Sequence, residues 1–328
     1  MLGKGLRKQS SASLFIHALW HNFSARLGIG LIFGLVIISV LNVLHPEYLD
    51  VSNAFNINSF SNIAKNISAQ PLAPTFDHGW RYVMGTTSYG VPILPVSLAA
   101  VTVDLAFSIP IAVISAIIGT CVGVITTYFS RKAEFAMISI ATMTTSFPLL
   151  ISAIIFGLML GFNYFGISLG IIFVLWSYYA IIARNLVLDL KNRQFIEASR
   201  AAGASKFRII FRHIIPNSMT PIMVRFSLDL ATVIAILSAI NFLFYFSATS
   251  LAPYPELGAL IAGLPSVGYL YASGNPFSPF VPINTLTLIT QGDWWTVVFP
   301  SFFLMVLIAT FVTLSTGLRE TLDPRSVV

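Results

Sequence analysis

Few side chains in this sequence have the types and spacing that chemistry requires. His17 and His21 stand four apart and could face one metal from a single helix, but no third ligand lies near them, so they read as an interfacial pair. Cys121 is the single cysteine, which leaves neither a disulfide nor a thiolate metal cluster to consider. No GxxxxGK[ST] phosphate loop, no HExxH, no cysteine pair and no nucleophile elbow occurs, so neither cofactor nor metal is expected in this chain. Ionisable groups inside apolar runs come down to Asp104, Arg225 and Asp229. Arg225 and Asp229 are one helical turn apart, a spacing at which opposite charges pair.

The elements that must position these residues are set by composition. Charged residues make up 9% of 328 and apolar classes 56%, and mean hydropathy is +0.84. Several runs exceed the roughly 20 apolar residues that cross a bilayer, so the expected fold is an all-α polytopic membrane protein. In a membrane an Arg225–Asp229 pair lowers the cost of both charges; a place for Asp229 on a polar pathway is the competing reading. The rarity of such charges argues against a carboxylate relay for protons or sodium. The net charge of +6 reports topology rather than nucleic acid.

In chain order, residues 1–26 read as a basic, interfacial N-terminal segment, and 27–44 as the first span, retained as an anchor, with Gly30 and Gly34 available for a close helix neighbour. Residues 45–95 are polar and read as outside. The core, 96–318, holds the remaining spans: a second helix within 96–129 with a small-residue stripe of Ser115, Gly119 and Gly123, a third over 135–160 kinked at Phe147-Pro148, an outer turn at 161–166, a fourth over 167–186, a fifth over 222–246 and a sixth over 297–318. Residues 187–219 form a cytoplasmic loop, 247–293 an outside loop without Lys or Arg, and 319–328 a cytoplasmic tail. Of 18 Lys and Arg, only Lys65 and Arg81 fall in outside segments, which puts both termini of a six-helix chain in the cytoplasm.

The loop is the most structured of these polar segments. Ile196-Glu197-Ala198-Ser199-Arg200-Ala201-Ala202 is a good helix former, Gly203 turns the chain, and Pro216-Asn217 is expected to stop a second short helix. In that second helix Phe207, Ile210, Phe211 and Ile214 recur at the spacing of one apolar face, with Lys206, Arg208 and Arg212 on the remainder. Such a face belongs either in a partner's groove or against this protein's own helix ends.

Glu197-Ala198-Ser199, Gly203 six residues after Glu197, and His213-Ile214-Ile215-Pro216 resemble the "EAA" loop of ATP-binding-cassette importer permeases, with Ser199 in place of the usual second alanine. The tail Leu318-Arg319-Glu320-Thr321-Leu322-Asp323-Pro324-Arg325 resembles the "LRD-x-LDPR" ending of one permease subunit of the dipeptide, oligopeptide and nickel importers. Gly85-Thr86 with Gly90, Phe147-Pro148-Leu149-Leu150, Pro255-Glu256-Leu257-Gly258, and Trp294-Trp295 with Pro300 extend the likeness from about residue 80 to the end. Thr87, Val91, Pro92, Leu237 and Phe244 depart from it, toward the substrate side.

The resemblance implies a six-helix, type I importer-like permease of the cell membrane. It further implies a second homologous permease, two ATPase subunits that bind ATP and Mg, and an extracellular or periplasmic solute-binding protein. Peptides are the cargo it points to first, with oligosaccharides and nickel chelates as alternatives. The docking residues it implies are Glu197, Ala198, Ser199, Gly203, Phe207, Arg208, Ile210, Phe211, Arg212, Ile214 and Pro216. A secondary transporter or channel working without ATPases is the competing class, favoured by inverted repeats or midplane charges, neither of which is evident.

Overall fold

The computed structural model describes residues 22–44, 72–77, 79–87, 91–244, 256–262 and 293–322. His17, His21, most of both outside segments and Asp323-Pro324-Arg325 lie outside the described residues. The described chain is helical, with a single isolated bridge between Thr86 and Pro92. Helix α1 is Phe23–Leu44, α2 Ile93–Phe129, α3 Arg131–Thr145, α4 Leu149–Met159, α5 Tyr164–Leu190, α6 Gln194–Ala201, α7 Lys206–Ile209, α8 Ile215–Phe244, α9 Leu257–Ala262 and α10 Trp295–Leu322. Every backbone group of a helix is satisfied within its own segment, which is why lipid-facing chain takes this form.

Five runs are long and apolar enough to cross a membrane: α1, α2, α5, the run from Lys206 through α8, and α10. The expected third span is not one kinked helix. It is two helices, α3 and α4, meeting at 90°. Pro148 supplies no N–H and disfavours helical geometry at Phe147, so the chain breaks over 146–148 and restarts with Pro148 as the N-cap of α4. At 1.5 Å per residue α4 covers about 16 Å, half of a hydrocarbon core. The count is therefore five single-helix spans, and six only if the bent pair is taken as one.

Other boundaries shift for local reasons. α1 begins at Phe23, inside the segment read as interfacial, because the Asn22 side chain accepts from the Ala25 N–H and caps the helix. α2 begins at Ile93, inside the segment read as outside, since Pro92 and Pro95 sit where a helix needs no N–H. The outer turn is confined to 160–163, and the Asn163 side chain caps α5 by accepting from the Gly166 N–H at 2.8 Å, so Gly166 is helical. α10 carries on through Arg319 and Glu320 to Leu322, four residues into the expected tail.

The core is built on close helix crossings. The stripe Ser115, Gly119 and Gly123 turns toward α5. A Cβ on Gly119 would lie 2.1 Å from the Trp176 carbonyl, and one on Gly123 2.4 Å from that of Ala180. α1 meets α10 in the same way, but through Gly28 against Leu314 and Gly317 against Ala25. Gly30 and Gly34, the glycines expected to admit a neighbour, have open space where a side chain would project. Replacing Gly119 with Val is expected to destabilise the detergent-purified chain by about 1–3 kcal/mol through forced separation of α2 and α5. Gly30→Val should stay within about 0.5 kcal/mol, both read from thermal unfolding.

Candidate functional site

Residues 191–216 form a compact unit at one end of the bundle. α6 ends in a Schellman motif: the Gly203 N–H donates to Arg200 O at 3.0 Å and the Ala204 N–H to Ser199 O at 3.0 Å. Gly203 has φ +82°, the left-handed region that a side chain disfavours. Two residues later the Ser205 side chain caps α7 by accepting from the Arg208 N–H at 3.3 Å. The elbow is thus a C-cap glycine and an N-cap serine with only Ala204 between them.

Past the elbow the helix changes pitch. Residues Ile210–Ile214 form a π turn, in which the Ile215 N–H bonds to Ile210 O, and the chain runs straight on into α8. Pro216 does not stop the helix, contrary to expectation. A proline crowds the carbonyl four residues back, here that of Arg212, and this carbonyl lies in a wider turn whose ladder runs i to i+5. The fifth span accordingly starts at Ile215 rather than at 222. Asn217, expected to help end the helix, instead turns its side-chain amide back to His213 O at 2.5 Å.

This pitch divides the expected apolar face in two. Ile210 and Ile214 turn inward with Ile209 and Ile196, and the four pack with Val124 of α2 and Ala183 and Val187 of α5 in one buried cluster. Phe207 and Phe211 stay 62% and 66% exposed. Phe207 leans on Phe129 at the end of α2, ring centroids 5.6 Å apart, and Lys206 lies over that same ring. Glu197, Ala198, Arg208, Arg212 and Pro216 of the same unit are exposed as well. Ser199 is half-buried; it donates to Phe195 O at 2.9 Å and meets His213 Nε2 at 3.4 Å, joining α6 to the π turn. Ile196 and Ile209 anchor the unit, and spacing alone does not single them out. The adjacency of Ile209 and Ile210, too many apolar groups for one stripe, was the available signal.

Two polar clusters lie inside the bundle. Arg225 and Asp229 pair as their spacing predicts, Nη2 to Oδ1 at 2.8 Å and Nε to Oδ2 at 3.1 Å. Asp229 is fully buried, and the guanidinium rests 4.3 Å from the ring centroid of Tyr178. The pair therefore ties α8 to α5 while each charge is compensated. The second cluster, Asp104 with Glu256, joins α2 to the start of α9. In the sequence Glu256 stands out only as part of the Pro255-Glu256-Leu257-Gly258 motif. At the ends of α3 and α5, Glu134 and Arg184 form a further bridge at 2.7 Å.

These features describe a polytopic helical membrane protein with a preformed, partly apolar platform between two of its spans. The chain belongs to the family described as binding-protein-dependent transport system inner membrane component, whose model matches residues 109–328. It is 30% identical over 297 residues to the dipeptide transport system permease protein DppC of Alkalihalophilus pseudofirmus, covering 90% of this chain and 85% of that one. It is 30% identical to the oligopeptide transport system permease protein OppC of Haemophilus influenzae, over 77% and 73%, and 25% identical to the DppC of that organism over 93% of both. It is a permease component and a multi-pass protein of the cell membrane.

The division of the loop separates stability from surface. Ile196→Ala and Ile214→Ala are each expected to lower unfolding free energy by about 2–5 kcal/mol. Phe207→Ala and Phe211→Ala should stay within about 0.5 kcal/mol of the parent in the same thermal assay.

Proposed function

We propose that this chain is the permease subunit of an ATP-driven importer for dipeptides and oligopeptides, and that the unit from Glu197 to Pro216 is where ATPase subunits grip it. The observation that carries the reading is the two-faced loop: one apolar face sealed against the chain's own helix ends, and two largely exposed phenylalanines on a unit whose Glu197, Arg208 and Arg212 are exposed too. Exposed aromatics ringed by charge are the composition of a protein docking surface, with contact area at the centre and register at the rim. The resemblance of this stretch to the EAA loop supports the same assignment, and the peptide cargo rests on the names of the relatives.

In this reading the loop end faces the cytoplasm, with both termini on that side, as the basic residues favour. A second homologous permease completes the path, a solute-binding protein delivers cargo from outside, and two ATPase subunits bind ATP and Mg and perform the hydrolysis. Closure of the ATPases moves Phe207 and Phe211. The isoleucine cluster passes that motion to α2, α5 and α8 as one body, so the spans tilt between outward and inward access. The Arg225–Asp229 pair, buried and compensated, serves as a fastener in this movement rather than as a cargo contact.

Uptake and ATP hydrolysis in the reconstituted importer test the proposal. Glu197→Lys reverses a rim charge. Gly203→Pro fixes φ near −65° where the elbow needs +82°. Each is expected to cut uptake by about tenfold or more, the equivalent of 1.4 kcal/mol of coupling, while the chain stays inserted and hydrolysis continues uncoupled. Normal uptake in both variants would refute the lever.

A further inference from the structure

At the opposite end of the bundle from the loop lies a cluster that the docking surface does not use. α9 is six residues long and buried throughout save for Ile261, with Leu257 and Leu260 packed among Val101, Leu105, Ile234 and Leu307. Its seat on α8 is tight: a Cβ on Gly258 would lie 2.1 Å from the Ser238 carbonyl. Glu256 stands at its start and Asp104 faces it from α2, and both side chains are 2% exposed. The two carboxyls are within hydrogen-bonding reach of each other. Ser238 Oγ donates to Glu256 Oε1 at 3.2 Å, and Asn241 lies on the same side.

Three of the four carboxyl oxygens lack a donor in full hydrogen-bond geometry. The Leu257 N–H faces Asp104, and the Ala259 N–H and the Asn241 amide face Glu256, yet Asp104 Oδ1 and Oδ2 and Glu256 Oε2 remain the three. Among the described residues no ion pair offsets the charge of either carboxyl. α9 has no ionisable group, α1 none after Arg26, α2 no acid or base besides Asp104, and α10 none before Arg319. On α8, Arg225 is committed to Asp229, and the whole stretch 245–292 contains no Lys, Arg or His. Two bare carboxylates side by side repel strongly even where the effective dielectric is well above that of a dry interior, and removing each from water adds a further penalty. A single proton removes the repulsion and supplies one missing donor, because it makes one carboxyl a donor to the other, and the one charge that remains is shared between them.

We propose that Asp104 and Glu256 share one proton, and that this proton-bridged acid pair is the fastener that seats α9 between α2 and α8. The proton is lost as pH rises, which puts a second negative charge into the same buried space, so α9 is held more weakly in alkaline conditions. Movement of α2 away from α9 admits water and makes the proton exchangeable.

Infrared spectra of the detergent-purified full chain test the pair directly through the carbonyl stretch of a protonated carboxylic acid. The wild type is expected to show that band at neutral pH, and both Asp104→Asn and Glu256→Gln to lose it. Because an amide also donates to a carboxylate, each variant should unfold within about 2 °C of the wild type in mild acid and, unlike it, should not lose stability as pH is raised. If neither variant accumulates, parallel loss of the wild-type acid band and of its unfolding midpoint on raising pH carries the same information. The proposal is overturned if the wild type lacks the band, or if its midpoint climbs with added sodium or calcium while the amide variants are strongly destabilised, since a metal ion then bridges the pair.

Discussion

The burial of Ile196, Ile209, Ile210 and Ile214 against Val124, Ala183 and Val187 is the contact on which the proposed docking surface depends. A loop of some twenty-five residues between two spans would ordinarily be loose, because exposed backbone gains little from ordering. Here four isoleucines nail it to the ends of α2 and α5, and the Gly203 turn and the Ser205 cap fold it into a fixed elbow. Phe207 and Phe211 are held out by that same packing, not by any preference of their own for water.

A rigid platform is useful only if the spans beneath it are rigid too. The crossing of α2 and α5 at Gly119 and Gly123 brings the backbones together until side chain meets carbonyl, which is how helices associate in lipid without a hydrophobic driving force between them. α8 is tied to α5 by Arg225, Asp229 and Tyr178, and to α10 by Ser315 Oγ donating to Val224 O at 2.9 Å. Push on the loop and three long helices answer together in the proposed mechanism. The right-angle break at Pro148 leaves α3 and α4 outside that rigid group, joined to it chiefly through α5.

Composition and hydropathy made the helical, membrane-spanning class legible, because the backbone has few options in lipid. Spacing made the Arg225–Asp229 pair and the Gly119–Gly123 stripe legible, because both follow from the pitch of a regular helix. Two of the failures share a cause: they sit where the pitch is not regular. The π turn rotates Phe207 and Phe211 away from Ile210 and Ile214, which an unbroken α-helix would group together, and it also lets Pro216 pass. Pro148 announces a disturbance without saying whether the result is a kink or a right angle. Gly30 and Gly34 fit the small-residue pattern as well as Gly28 does, and only tertiary structure decides which faces α10. Glu256 follows a proline-rich stretch with no helical period, so nothing local placed it beside Asp104, 152 positions earlier.

Site-directed cross-linking in the assembled importer tests the two-faced loop most directly. After removal of the single native thiol by Cys121→Ala, cysteines at positions 207 and 214 would be compared for linkage to the ATPase subunit. Linkage from 207 and none from 214 is the expected result. Equal linkage from both, or linkage from 214 alone, would contradict a loop whose isoleucines belong to the permease and whose phenylalanines belong to its motor.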